Sequence, residues 1–379
     1  MLPGKMSDYI PGVLSRAQLR TLCDAGWIQN VGHDSQIDYS SIDLTLSNEA
    51  YTMVKGSVKP FGDSYEHFLL SEKDAAQPKQ ADEDGCFTLS AKNTYVFKLQ
   101  QQLGPAVRDF ELYGQATAKS SVGRVDVLAR LIVDGMDTYE TFDRKGVSKG
   151  NGHMYLEITP ITFPVRVKPG TPLSQLRIFY GNPDDVRIRG KEIFSSVLIG
   201  GAEDGSLTVN LSPAAVGHDE GCAFRAEMNK ETEPVCLWKC EKLPDPKKYW
   251  AVDRADRVGT KDYLRITKER FYILSSQEKI ALPGGIAVYC RAIDETIGEM
   301  RIHYAGFVHP FFGRNRKDGT IGTPLIFEVR GHDVEVALTH GEKMARLTFY
   351  RMSADCMKEE PSNYDSQTLE LSKFFAPWN

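Results

Sequence analysis

Landmarks in the first half of the chain return in the second half, in the same order and at nearly the same distance. Gly123 and Gly298 stand 175 residues apart (298 − 123), Glu157 and Glu328 stand 171 apart (328 − 157), and Gly170 and Gly341 stand 171 apart (341 − 170). The run Ser41–Ser47 is echoed by Gly205–Ser212, and Thr94-Tyr95-Val96-Phe97 by Arg270-Phe271-Tyr272-Ile273. Offsets this close point to a duplicated unit, and two copies are too few for a solenoid. A chain of 379 residues is also too long for one ordinary core. The junction is expected near residues 183–200.

The repeated unit reads as β. Ile42, Leu44 and Leu46 alternate with polar residues, as in a half-buried strand. From Phe87 onward, short alternating runs are broken by Gly, Pro, Asp and Asn, the pattern of a barrel or sandwich. One short helix is expected at the start. Ser15-Arg16-Ala17-Gln18 has capping-box spacing, Leu19, Leu22 and Cys23 share a side, and Gly26 ends the run. Residues 1–13 read as a lead-in, and 71–86 and the polar run Asp143–Asn151 as loops. The predicted fold is mainly β: two tandem β-barrel or jelly-roll domains, 1–190 and 191–379, behind a short N-terminal helix.

The densest chemistry lies in Lys119-Ser120-Ser121-Val122-Gly123-Arg124. Two cations, two hydroxyls and a glycine that admits close approach suit a polyanion. The net charge of −5 argues against a nucleic-acid binder but allows a small anion held by a local cluster. No apolar run reaches the length of a membrane span, the first residues lack a leader pattern, and seven scattered cysteines fit a reducing cytoplasm. In the second copy the loop becomes Asp294-Glu295-Thr296-Ile297-Gly298-Glu299, which repels phosphates, while that copy carries the Gly-rich aromatic hairpin 305–313. Each copy keeps a different polar feature, and the sequence allows a composite site: loop 119–124 from the first domain, hairpin 305–313 from a second.

In Tyr155-Leu156-Glu157-Ile158-Thr159 the strand period turns Leu156 and Ile158 to one face and Glu157 to the other. Glu328, in Leu325-Ile326-Phe327-Glu328-Val329, holds the equivalent place. A zinc deaminase pattern needs His-x-Glu followed by Pro-Cys-x-x-Cys; His218-Asp219-Glu220 has no such partner, and Cys236 and Cys240 have the wrong spacing. No protein-bound zinc is expected, and magnesium is expected only on the phosphates of a bound polyanion.

Together these residues resemble the dCTP deaminases, relatives of the trimeric dUTPases, in a long tandem form. The likeness rests on the opening helix and the strand at 41–46, the Lys-Ser-Ser-x-Gly-Arg loop and a hairpin ending in Asp137. It extends to the acid at Glu157, the turn and strand Pro169–Leu176, and the closing segment Tyr364–Lys373. The resemblance implies a dUTPase-like fold and zinc-independent deamination of dCTP to dUTP and ammonia. Glu157 or Glu328 would be the general base, Ser120 or Ser121 would hold the water, and Arg124 would hold the acid or the phosphates. Lys119, Gly123, Asp137, Gln175, Tyr364, Gln367 and Lys373 would contact substrate, with His309 at the place matching Asp137. It also implies a cytoplasmic homo-oligomer with sites between domains and dTTP as a candidate inhibitor. dUTP hydrolysis, alone or beside deamination, and a non-catalytic deoxynucleotide-binding regulator remain open alternatives.

Overall fold

The computed structural model describes residues 9–201, 204–213, 215–218, 220–227, 232–293, 300–303, 306–314, 321–357 and 371–378. Helix α1 (Arg16–Asp24) starts where expected. The Gln18 side chain accepts from the Ser15 N–H at 3.0 Å, the return half of a capping box, and Leu19 and Leu22 are buried.

The first half forms strands β1 (Ile42–Met53), β2 (Tyr95–Leu103), β3 (Leu112–Ala118), β4 (Val127–Val133), β5 (Thr141–Phe142), β6 (His153–Pro160) and β7 (Pro172–Tyr180). Three short helices accompany them: α2 (Tyr65–Ser71), α3 (Ser120–Gly123) and α4 (Arg144–Val147). The second half forms β8 (Ser206–Asn210), β9 (Phe271–Ile280), β10 (Ile286–Ala292), β11 (Met300–His303), β12 (Gly306–Val308), β13 (Thr323–Gly331) and β14 (Lys343–Arg351). These strands lie in the order β4-β6-β2-β1-β7-β3-β5 in the first sheet and β11-β13-β9-β8-β14-β10-β12 in the second. Adding seven to each label converts one order into the other. The chain is mainly β.

Register repeats with the order. Thr45 faces Pro172 and, after a one-residue shift, Leu44 faces Ser174; likewise Thr208 faces Lys343 and Leu207 faces Ala345. The Tyr95 hydroxyl accepts from the Ser90 N–H at 3.0 Å, and the Tyr272 hydroxyl from the Thr267 N–H at 3.1 Å. Glu157 lies opposite Val96 and Glu328 opposite Ile273. The expected echo of Tyr95 in Phe271 is therefore one residue off: Tyr95 corresponds to Tyr272, and Glu157 to Glu328.

Three local expectations change. Residues 71–86, expected as a loop, hold the short strand Ala76–Pro78, which pairs with Tyr51–Met53 of β1. The run Asp143–Asn151 contains the single turn α4, capped by the Asp143 carboxylate accepting from the Gly146 N–H at 2.7 Å. Strand β6 is covered on both faces. Leu156 and Ile158 enter the main core, while Tyr155 packs with Tyr65 and Leu69 of α2. The two halves also share core. Phe163 meets Tyr249, Trp250 and Phe375 edge-on, and Val165 pairs with Val235. Packing across the junction fixes loops of one half against strands of the other.

Candidate active site

The polar loop begins where β3 ends. Lys119 is extended and its carbonyl accepts from the N–H groups of Val122 (2.8 Å) and Gly123 (3.1 Å), closing the single turn α3. Asp126, at φ 56, turns the chain into β4, with its N–H on the Gly123 carbonyl at 2.8 Å. The Lys119 ammonium is buried against Asp43, at 2.5 and 2.6 Å from its carboxylate oxygens. Ser120 is exposed, Ser121 is half-buried and Arg124 is buried.

Across this loop stands the second half. Ala118, Ser120, Arg124 and Gln175 from the first half line one recess with Cys290, Gly306, Phe307, Val308, His309, Phe312, Leu325, Ile326 and Glu328 from the second. Its free volume is about 90 Å³, a ring-sized space rather than room for a whole nucleoside triphosphate. A single chain thus brings the Lys-Ser-Ser-x-Gly-Arg loop and the hairpin together. Asp294–Glu299, with Gly298, and Ala305 lie outside the described residues.

Glu328 is the acid of this recess. Its carboxylate touches Gly123 so closely that a methyl group there would collide with both oxygens. No hydrogen bond to that carboxylate is made among the described residues. Burial holds its proton well above the ordinary glutamate range; the Arg124 cation opposes the shift and Asp126 adds to it. The recess thus sets a buried carboxyl, without a hydrogen bond among the described residues, in the same lining as the Arg124 cation and the Ser120 hydroxyl.

Glu157 is placed differently. It is 1% exposed, yet its carboxylate faces its own half, not the recess. It pairs with Arg130 (Nε at 3.1 Å, and Nη2), and accepts from the Ser57 hydroxyl at 2.6 Å and the Tyr139 hydroxyl at 3.1 Å. The Arg130 guanidinium lies 4.1 Å from the Tyr139 ring centre. Segment 54–71, which supplies Ser57 and α2, fills the space over β6. The sequence alone assigned this segment no role.

The other expected residues divide. Gln175 donates to the Thr117 hydroxyl at 3.2 Å and sits 3.3 Å from His309 Nε2, whose Nδ1 lies 3.1 Å from the Ser40 hydroxyl. Burial, with Arg177 and Lys119 nearby, lowers the His309 pKa to about 4, against the pull of Asp38, so the imidazole is neutral at pH 7. Arg177, unmarked in the sequence, stacks 4.0 Å from the Phe307 ring centre and donates to the Val288 carbonyl at 3.0 Å. Asp137 is exposed beside Gly62 and outside the recess lining. Tyr364 and Gln367 lie outside the described residues. Lys373 is exposed; burial of its stem and the nearby Lys119 lower its pKa. Beside it, Ser372 donates to the Ser121 carbonyl at 2.6 Å, tying the closing segment to the loop.

Among the described residues, no three His, Cys, Asp or Glu side chains gather to hold a metal ion. Cys236 ends a two-residue strand and Cys240 lies beyond it, so the two do not share a strand face. No helix among the described residues is long and apolar enough to cross a membrane.

Comparison with known proteins gives a family to this geometry. Residues 10–182 match the 2'-deoxycytidine 5'-triphosphate deaminase N-terminal domain, and residues 191–375 match the C-terminal domain of the same family. The crystal structure of 2'-deoxycytidine 5'-triphosphate deaminase from Agrobacterium tumefaciens superposes with a TM-score of 0.76 at 25% identity, covering 92% of this chain and 99% of that one. Among curated protein sequences no relative matches. The chain belongs to the 2'-deoxycytidine 5'-triphosphate deaminase family and carries both of its domains.

Proposed function

We propose that this protein deaminates dCTP to dUTP and ammonia in the recess between the loop 119–124 and the hairpin 306–309, with Glu328 as general base and acid. One observation carries the choice: of the two equivalent acids, Glu328 alone lines a recess with Ser120 and Arg124, while Glu157 is consumed by Arg130, Ser57 and Tyr139. The matching strand orders support reading 1–190 and 191–379 as two dUTPase-like units of a duplicated fold.

Deamination at C4 needs one water added and one ammonia lost. Glu328 takes a proton from the attacking water, returns it to the ring nitrogen, and carries the second proton to the departing amine. Arg124 stabilises the carboxylate form between transfers, and Ser120 orients the water. His309, neutral, and Gln175 form the opposite wall and hold the base edge or sugar without adding a charge. Ser121 and Lys373 face the triphosphate, and Lys119, held by Asp43, braces the loop behind them. The loop offers cations and hydroxyls rather than free carboxylates, which fits magnesium arriving on the phosphates and not held by the protein. Asp137, the residue that suits dUTP hydrolysis, lies outside this recess, so deamination is the preferred reading. The test is incubation with dCTP and magnesium: dUTP with equal ammonia supports it. Unchanged dCTP with conversion of dUTP to dUMP replaces it with pyrophosphatase chemistry. Tight binding without turnover replaces it with a regulatory role.

A further inference from the structure

Beside the Glu328 recess a second contact crosses between the halves. Arg330, two residues beyond Glu328 on β13, projects from the same face and reaches the same loop. Its Nη1 donates to Asp126 Oδ2 and lies 3.1 Å from the Thr162 hydroxyl, and its Nη2 donates to the Glu269 carbonyl at 3.0 Å. The Thr162 hydroxyl also donates to Asp126 Oδ2, at 2.5 Å. Asp126 is completely buried, and its Oδ1 makes no hydrogen bond among the described residues. Its backbone occupies the left-handed region at φ 56, which is unfavourable for a non-glycine residue. Burial, an idle oxygen and a strained backbone all count against a carboxylate here. Glycine or asparagine would suit that backbone at lower cost.

Fold alone does not account for a carboxylate at this point. Two successive outward residues of β13 grip one four-residue turn: Glu328 at Gly123 and Arg124, Arg330 at Asp126. Among the described residues, the charged groups that act on Glu328 are Arg124 and Asp126, of opposite sign. We propose that Asp126, clamped by Arg330 and Thr162, is a positioning residue for Glu328: it fixes the 123–126 turn against the carboxyl and sets a buried negative charge beside it. That charge adds to burial in favouring the protonated form of Glu328, the form that passes a proton to the base, and opposes the pull of Arg124. Burial raises the pKa of Asp126 itself to about 6, against Arg330 and Thr162, so it is charged at neutral pH. This role rests on Glu328 being the proton carrier.

The test is Asp126→Asn, which keeps the side-chain shape, tolerates the left-handed backbone and removes the charge. Two readouts are followed: the acid limb of kcat/KM for dCTP, and the carboxyl titration of Glu328 by ¹³C NMR, assigned by its loss in Glu328→Gln. The inference expects both to move about one pH unit lower. Asp126→Gly, which suits the same backbone, is expected to move them equally. An unmoved Glu328 titration with a lowered melting temperature makes Asp126 a structural residue and overturns the proposal, as does failure of both variants to fold. The titration is read without turnover. An enzyme that does not deaminate dCTP therefore sinks the functional reading while the Asp126–Glu328 coupling is still measured.

Discussion

Gly123→Ala isolates the contact between the loop and Glu328. The added methyl collides with both oxygens of that carboxylate, and with no other residue so closely. Gly123 closes α3 and does not have a positive φ, so alanine suits its backbone and gains about 0.5–1 kcal/mol from the less flexible unfolded chain. The collision is with the tip of a side chain, which rotates away at modest cost, so the folded state survives with stability within about 1 kcal/mol of the parent. Activity does not survive equally. A carboxyl displaced by about 1 Å from a reacting centre forfeits about 100-fold in rate, close to 2.7 kcal/mol of transition-state stabilisation. The assay pairs thermal melting with kcat and KM for dCTP. The expected result is an unchanged melting temperature with kcat down about 100-fold. Full activity would mean that Glu328 does no chemistry at this contact, and equal loss of stability and rate would mean that Gly123 is needed for packing instead.

Two further outcomes follow from the same geometry. Glu157→Ala removes the buried acceptor of Ser57, Tyr139 and the partly exposed Arg130, which costs about 1–2 kcal/mol, seen as a lower denaturant midpoint; kcat per folded molecule stays near the parent value. For His309 the folded pKa is lowered to about 4, so the unfolded chain binds the extra proton between that value and about 6.5. Stability is therefore fully present above about pH 6.5 and falls by up to about 3 kcal/mol as pH drops to 4; urea melts of His309→Gln across this window lose that slope.

Much of the fold was legible because its signals are local. The Ser15–Gln18 box, the alternation at Ile42–Leu46 and the paired glycines at 170 and 341 each state a conformation within a few residues. The loop 119–124 was legible as a compact polar turn for the same reason, while the pairing of Lys119 with Asp43 was not. The choice between Glu157 and Glu328 was not. Both sit at one strand position with similar neighbours, and what separates them comes from far along the chain. Ser57 and Tyr139 occupy the first, while Gly123 and Arg124 face the second. Asp126 and Arg330 stayed hidden likewise, since an isolated Asp and Arg 204 residues apart carry no pattern until the halves pack. Arg177 reads as an ordinary strand cation, and its burial against Phe307 depends on that same packing. A repeated strand order tells where equivalent residues lie, and tertiary contacts decide what surrounds each of them.

The central claim is that one chain carries a working acid at Glu328 and an inert, structural one at Glu157. The most direct measurement is single-turnover conversion of dCTP by Glu328→Gln and Glu157→Gln, with dUTP and ammonia both quantified. The account predicts at least a hundredfold loss in Glu328→Gln and near-parent turnover in folded Glu157→Gln. Retained turnover in Glu328→Gln, with loss in Glu157→Gln, would contradict it.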